Sequence, residues 1–144
     1  MSNSKNRSNE PSLESSSLPS LAHLTERSQL DFELEFFAAI LEKAPTFADA
    51  LRIHGSNLTT KGNIEEGMAM DKRLVQLRPH DYLAFYNLAC SYALLKQTEM
   101  ALKTLRRAVE LGYRDFRYMK QDRDLESIRR DPRFRQLMRE FETK

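Results

Sequence analysis

Apolar residues recur at three- and four-residue intervals through most of this chain, the periodicity of helices that bury one face. Between Ser28 and Lys43 they fall at Leu30, Leu34, Phe37, Ile40 and Leu41, and Pro45 follows. A second helix is expected over roughly Phe47 to Thr60, closed at Lys61-Gly62 because glycine takes the left-handed conformation that ends a helix. Asn63 stands where it can cap a third helix, with Glu66 completing a capping-box pattern. That helix carries Ile64, Met68, Leu74, Val75 and Leu77 and stops before Pro79. The arrangement then recurs, with Asp81 expected to cap one helix, Thr98 to cap the next and Gly112 to end it.

Moved back by 34 residues, the stretch from Asp81 to Leu111 overlays the segment ending at Pro79. Leu51 falls on Phe85, Gly55 on Ala89, Leu58 on Tyr92, Gly67 on Ala101, Leu74 on Ala108 and Val75 on Val109. A repeat of this length predicts helical hairpins that bury their apolar faces on one another. Ile40, Leu41 and Pro45 lie one period before Leu74, Val75 and Pro79, so the Ser28 to Lys43 helix reads as the second half of a unit, capping the open end. Phe36 falls outside its buried stripe and is a candidate dimer contact. After Gly112 the period is expected to fail, with Lys120 and Gln121 where Leu and a small residue are needed. The rest of the chain reads as short helical pieces. One is capped by Asp124 and carries Leu125 and Ile128; another opens at Asp131-Pro132 and carries Phe134, Leu137, Met138 and Phe141.

Phe85, Leu88, Ala89, Tyr92, Ala101, Leu105 and Ala108 stand at the signature spacings of the tetratricopeptide repeat, which the chain resembles over about residues 30 to 141. The small residues are steric requirements: Ala89 and Ala101, like Gly55 and Gly67 one period earlier, are expected where two helices cross most closely. The first unit departs from the pattern at His54, where Leu is usual, and at Asp71, where a large apolar residue is usual. The D-L-x-x-I-R-x-D-P-R-F stretch resembles the closing segment that comes after such repeats in many bacterial proteins. The resemblance implies an all-α helical-hairpin solenoid over residues 28–144, with repeats at 48–79 and 82–113 and closing helices at 114–144. It also implies a concave groove lined by the first helix of each unit. The ligand-facing positions fall on Asp49, Arg52, Ser56, Thr59 and Thr60, and on Leu83, Tyr86, Asn87, Cys90, Ala93 and Leu94. Leu83, Tyr86, Cys90 and Leu94 share one apolar stripe, expected to be exposed unless the C-terminal segment folds over it. Of the carboxylate clamp with which some members hold a chaperone tail, only Asn87 matches, so that ligand class is not expected.

Composition narrows the function further. Of 144 residues, 40% are hydrophobic and 31% charged, and the net charge of +2 is too small to predict a polyanionic partner. Charge is uneven, however: residues 103–144 hold 13 Lys/Arg against 8 Asp/Glu. Cys90 is the only cysteine, which excludes a disulfide within the chain. Residues 1–27 are Ser-rich and read as a disordered tail without the apolar core of a secretory leader, and no segment has the apolar length of a membrane span. A cytoplasmic protein is expected. His23, His54 and His80 are isolated in sequence and suggest no metal site. A calcium loop starting at Asp122 would need Gly and Glu where Ser127 and Arg133 stand, so capping is the expected role of Asp122 and Asp124. Neither catalytic residue nor cofactor is expected. The chain reads as a non-catalytic adaptor that holds a peptide or helix of another protein in its groove, with Leu83, Tyr86 and Leu94 as apolar anchors and Arg52 and Asn87 orienting the ligand. Self-assembly as a homodimer with the groove filled in cis is the second expectation. The third and weakest is nucleic-acid binding through Arg106, Arg107, Arg114, Arg117, Arg129, Arg130, Arg133 and Arg135.

Overall fold

The computed structural model describes residues 21–143, with side chains from Gln29 onward. Among them the regular elements are all helical: α1 (Leu21–Lys43), α2 (Ala48–Lys61), α3 (Ile64–Leu77), α4 (Tyr82–Leu94), α5 (Thr98–Glu110), α6 (Phe116–Gln121), a 3-10 turn at Arg123–Leu125, α7 (Glu126–Arg129) and α8 (Pro132–Glu142). α1 starts at Leu21, inside the stretch expected to be a tail, whereas residues 1–20 lie outside the described residues. No described helix is long and apolar enough to cross a membrane.

Helix starts keep the 34-residue spacing of the sequence: Ala48 and Tyr82 open α2 and α4, Ile64 and Thr98 open α3 and α5. α2 packs on α3 and α4 on α5 as two hairpins, α3 joins them through α4, and α1 covers α2. The result is a short helical-hairpin solenoid. Contrary to expectation the spacing survives Gly112, since α6 and α8 open at Phe116 and Pro132, one period after Tyr82 and Thr98. The constant offset puts Asp122 and Arg123, not Lys120 and Gln121, at the places of Leu88 and Ala89. Asp122 is buried against α4 but caps the 3-10 turn instead of continuing a helix, Arg123 stays exposed, and the place of a third hairpin's first helix is taken by α6, the 3-10 turn and α7. These pieces and α8 close the end of α4 and α5.

Steric demand explains the small residues. A Cβ added at Gly67 would sit 2.9 Å from the Gly55 carbonyl oxygen and 2.6 Å from Thr59 Oγ1, so α2 and α3 touch backbone to backbone. In the second hairpin Ala89, Ala101, Leu105 and Ala108 are fully buried and Leu88 and Tyr92 nearly so, while half-buried Phe85 packs against the same core. Met119, Leu125, Ile128, Phe134 and Leu137 of the closing pieces extend that core; Leu51, Leu74 and Ala84 anchor a second one beneath α1.

The two departures in the first unit are both buried. His54 occupies the Leu88 place with Nδ1 unpartnered, and burial lowers its pKa against the attraction of Glu66. Asp71 occupies the Leu105 place and accepts a hydrogen bond from Ser91 Oγ at 2.9 Å, a polar tie between hairpins where the second unit has apolar packing. Helix ends agree with the sequence in part. Gly62 closes α2 at φ 100°, Asp81 accepts from the N–H groups of Leu83 and Ala84, and Asp131 accepts from that of Arg133. Asn63 makes no side-chain cap bond, and Thr98 lies inside α5 with Gln97 at the cap position. Asp122, not Asp124, caps the 3-10 turn.

Candidate functional site

α2 and α4, the first helices of the two hairpins, bound a cleft of about 340 Å³. Ser56, Thr59 and Thr60 line it from α2, and Leu83, Asn87 and Leu94 from α4. Tyr113, Tyr118, Asp122 and Asp124 form its remaining wall, and Asp71 and Ser91 reach it from the hairpin junction. The solenoid thus brings Ser56, Leu83, Asn87 and Leu94 together. Ser56 and Leu83 are exposed, Asn87 and Leu94 half-buried.

Tyr86 and Cys90 also touch the cleft, but neither is the open anchor expected from the apolar stripe. Tyr86 is only 3% exposed because the chain after Gly112 folds back over it. Its ring lies flat on that of Tyr113, centroids 4.1 Å apart, and its hydroxyl donates to Asp122 Oδ2 at 2.7 Å. Tyr113 in turn meets Tyr82 edge to face. The Cys90 thiol donates to the same carboxylate oxygen at 3.7 Å, and Ser127 Oγ donates to the Ala93 carbonyl at 2.8 Å. These bonds span more than thirty residues, so helical periodicity carries no trace of them.

Burial sets the electrostatics of this wall. It pushes the Tyr86 hydroxyl and the Cys90 thiol far above their ordinary values, with the Asp122 charge adding to both, and lifts Tyr113 to about 12. Asp124 is raised by burial and by Asp122, and Tyr118 by Asp122 first and burial second. Burial lifts Asp71 to about 6, against the opposing pull of the Ser91 hydrogen bond and the Arg52 charge. Among the described residues no Lys, Arg or His lines the cleft, whereas Asp71, Asp122 and Asp124 do. The cleft is therefore acidic.

Arg52, expected to orient a ligand, is engaged within the fold instead. Its guanidinium pairs with Asp81, the cap of α4, and thereby ties α2 to the second hairpin. Burial works against the Asp81 charge, but the Ala84 N–H and Arg52 hold its pKa below the usual carboxylate range. Asp49 is exposed and Ala93 fully buried, and neither lines the cleft. Cys90 Sγ and the carboxylates of Asp122 and Asp124 come within 4.8 Å of one another, close enough to suggest a cation. Hydrogen bonding already accounts for Asp122, which accepts from Tyr86, Cys90 and the Asp124 N–H, and the Cys90 thiol is held protonated. A protonated soft donor beside two hard ones does not make a recognisable metal site.

No family model matches the chain. Among curated proteins it is similar to a chloroplastic protein of Arabidopsis thaliana, with 31% identity over 91 residues. The match covers 61% of this chain but only 27% of that protein.

Proposed function

We propose that the chain is a tetratricopeptide-type, non-catalytic scaffold that takes a short basic segment of another protein into the cleft between α2 and α4. The observation that carries this reading is the cleft itself: the first helices of consecutive hairpins stand side by side and leave Leu83 41% exposed beside Asn87 and Leu94, above a carboxylate wall. Leu83 and Leu94 supply apolar contact, Ser56, Thr60 and Asn87 hydrogen bonds, and Asp124 and Asp71 attraction for a Lys or Arg side chain. With a cavity near the small end of ligand pockets, affinity is expected at about the micromolar level. The non-catalytic part of the reading rests on Cys90, whose thiol is held protonated, and on Ser91, whose hydroxyl is committed to Asp71.

Panning a random peptide library on the immobilised chain tests the proposal. Peptides carrying a basic residue next to apolar ones should be enriched on the wild type and lost on a Leu83→Glu/Asn87→Arg variant with unchanged circular dichroism. Enrichment that is equal on both proteins, or absent on both, removes the cleft as the site. A cytoplasmic setting is part of the proposal; the chloroplast named for the plant relative is the alternative, and a reporter fusion distinguishes them.

One observation favours a second reading, self-association through α1. Phe32 and Phe36 are 61% and 48% exposed, and their rings stack on the outer face with centroids 6.0 Å apart. Light scattering of a Phe32→Lys/Phe36→Lys variant against the wild type decides it, because this reading requires a dimer that the variant loses.

A further inference from the structure

A second groove, of about 610 Å³, lies at the far end of the solenoid. Its floor is Phe134 and Met138 of α8, and among the described residues its walls carry Lys120, Arg129, Arg130, Arg135 and Arg139 against a single carboxylate, Glu142. That carboxylate is already paired with Lys120. Arg130, Arg135 and Arg139 form no ion pair among the described residues, although Arg135 donates to the Arg130 carbonyl at 3.2 Å. Arg129 donates to the Met119 and Asp122 carbonyls and keeps a buried Nε without a partner. Unlike the cleft between α2 and α4, this groove is strongly cationic. Phe134 and Met138 are only 2% and 6% exposed, so much of the apolar surface offered to a ligand comes from the methylene stems of the basic residues.

We infer that this groove docks an acidic segment of a partner protein, with apolar residues interleaved among its carboxylates, at a site separate from the cleft. Carboxylates meet the guanidinium groups of Arg130, Arg135 and Arg139 in fork geometry, and the apolar residues lie on the arginine stems. Charge complementarity selects such an occupant. A nucleic acid fits less well, because its affinity grows with a track of phosphate contacts and three of the arginines that could extend the track are engaged within the fold. Arg106 pairs with Glu140, Arg133 with Asp131 and Glu99, and Arg114 donates to the Val109 and Tyr113 carbonyls. The buried Phe134 ring offers no platform for stacking bases. A membrane fits less well too, since the groove is concave and its apolar side chains do not protrude.

The probe is a fluorescein-labelled peptide of repeated Glu-Glu-Leu units, titrated with the full chain and read by anisotropy. It should bind at micromolar protein, weaken about tenfold or more for Arg135→Glu/Arg139→Glu, weaken less for Arg135→Gln/Arg139→Gln, and be unchanged for Leu83→Glu. Neither arginine double variant should alter circular dichroism, because Arg135 and Arg139 are exposed. Oligothymidine and vesicles of phosphatidylserine in phosphatidylcholine are the comparison ligands. The inference is overturned if the peptide does not bind below millimolar protein, if the double variants bind it as the wild type does, or if either comparison ligand binds more tightly through the same arginines.

Discussion

Replacing Asp71 by Asn isolates the cost of burying a carboxylate at the junction of the two hairpins. Asp71 is 4% exposed, accepts from Ser91 Oγ at 2.9 Å, and has its pKa raised by burial from 3.8 to about 6. An acid whose pKa is raised by folding favours the folded state when protonated. Its contribution is therefore full below pH 3.8 and lost as the pH climbs through about 6. A displacement of that size corresponds to about 3 kcal/mol. Asn keeps the shape and an acceptor for Ser91 but carries no charge, so it escapes the loss. Urea unfolding of both proteins across this range should show the stability of Asp71→Asn relative to wild type rising by about 3 kcal/mol from the acid to the neutral end. His54, whose pKa is lowered by burial, titrates in the opposite sense in both proteins and largely cancels in the difference. A difference that stays flat with pH, or falls as pH rises, refutes the argument that Asp71 is a desolvated carboxylate.

Three further substitutions test other parts of the fold. Gly67→Ala should destabilise by about 1–3 kcal/mol, because its Cβ meets the Gly55 backbone oxygen at 2.9 Å and the helices must part; an unchanged melting temperature would contradict that crossing. Lys96 adopts φ 61° in the α4–α5 turn, one period after Gly62, so Lys96→Gly should stabilise by about 0.5–1 kcal/mol in denaturant unfolding. Tyr86→Phe should cost about 1–3 kcal/mol, since it takes one hydrogen bond from the buried Asp122 carboxylate; a neutral result would mean the closing segment does not lock onto α4 in solution.

The regular part of the fold was legible because its determinants are local. Lys61-Gly62, Pro79 and the 34-residue spacing of small and apolar residues mark α2 to α5 to within a residue or two. Caps were less legible: Asn63 has the right chemistry and place, yet a cap bond also needs a rotamer and backbone turn that residue type does not determine. The start of α8 could be read from Asp131-Pro132, but the start of α6 at Phe116 and the continued spacing were hidden, because Asp122 and Arg123 erase the packing signature while leaving the spacing intact. At the cleft, Ser56, Leu83, Asn87 and Leu94 stand where the tetratricopeptide resemblance puts ligand-facing positions, and the structure brings them together there. The engagement of Tyr86 and Arg52 within the fold could not be read from the sequence, because their environments are made by Asp122 and Asp81, 36 and 29 residues away in the chain. A Tyr on a helix face looks the same in sequence whether solvent or another segment covers it.

Amide chemical-shift mapping tests the binding role of the cleft most directly. A basic peptide selected on the wild type would be titrated into the isotopically labelled chain. Saturable shifts at Ser56, Thr60, Leu83, Asn87, Leu94 and Tyr118, with little change along α8, are the predicted result. Shifts confined to α1 or α8, or none at saturating peptide, would contradict the claim that the space between α2 and α4 is where this protein holds its partner.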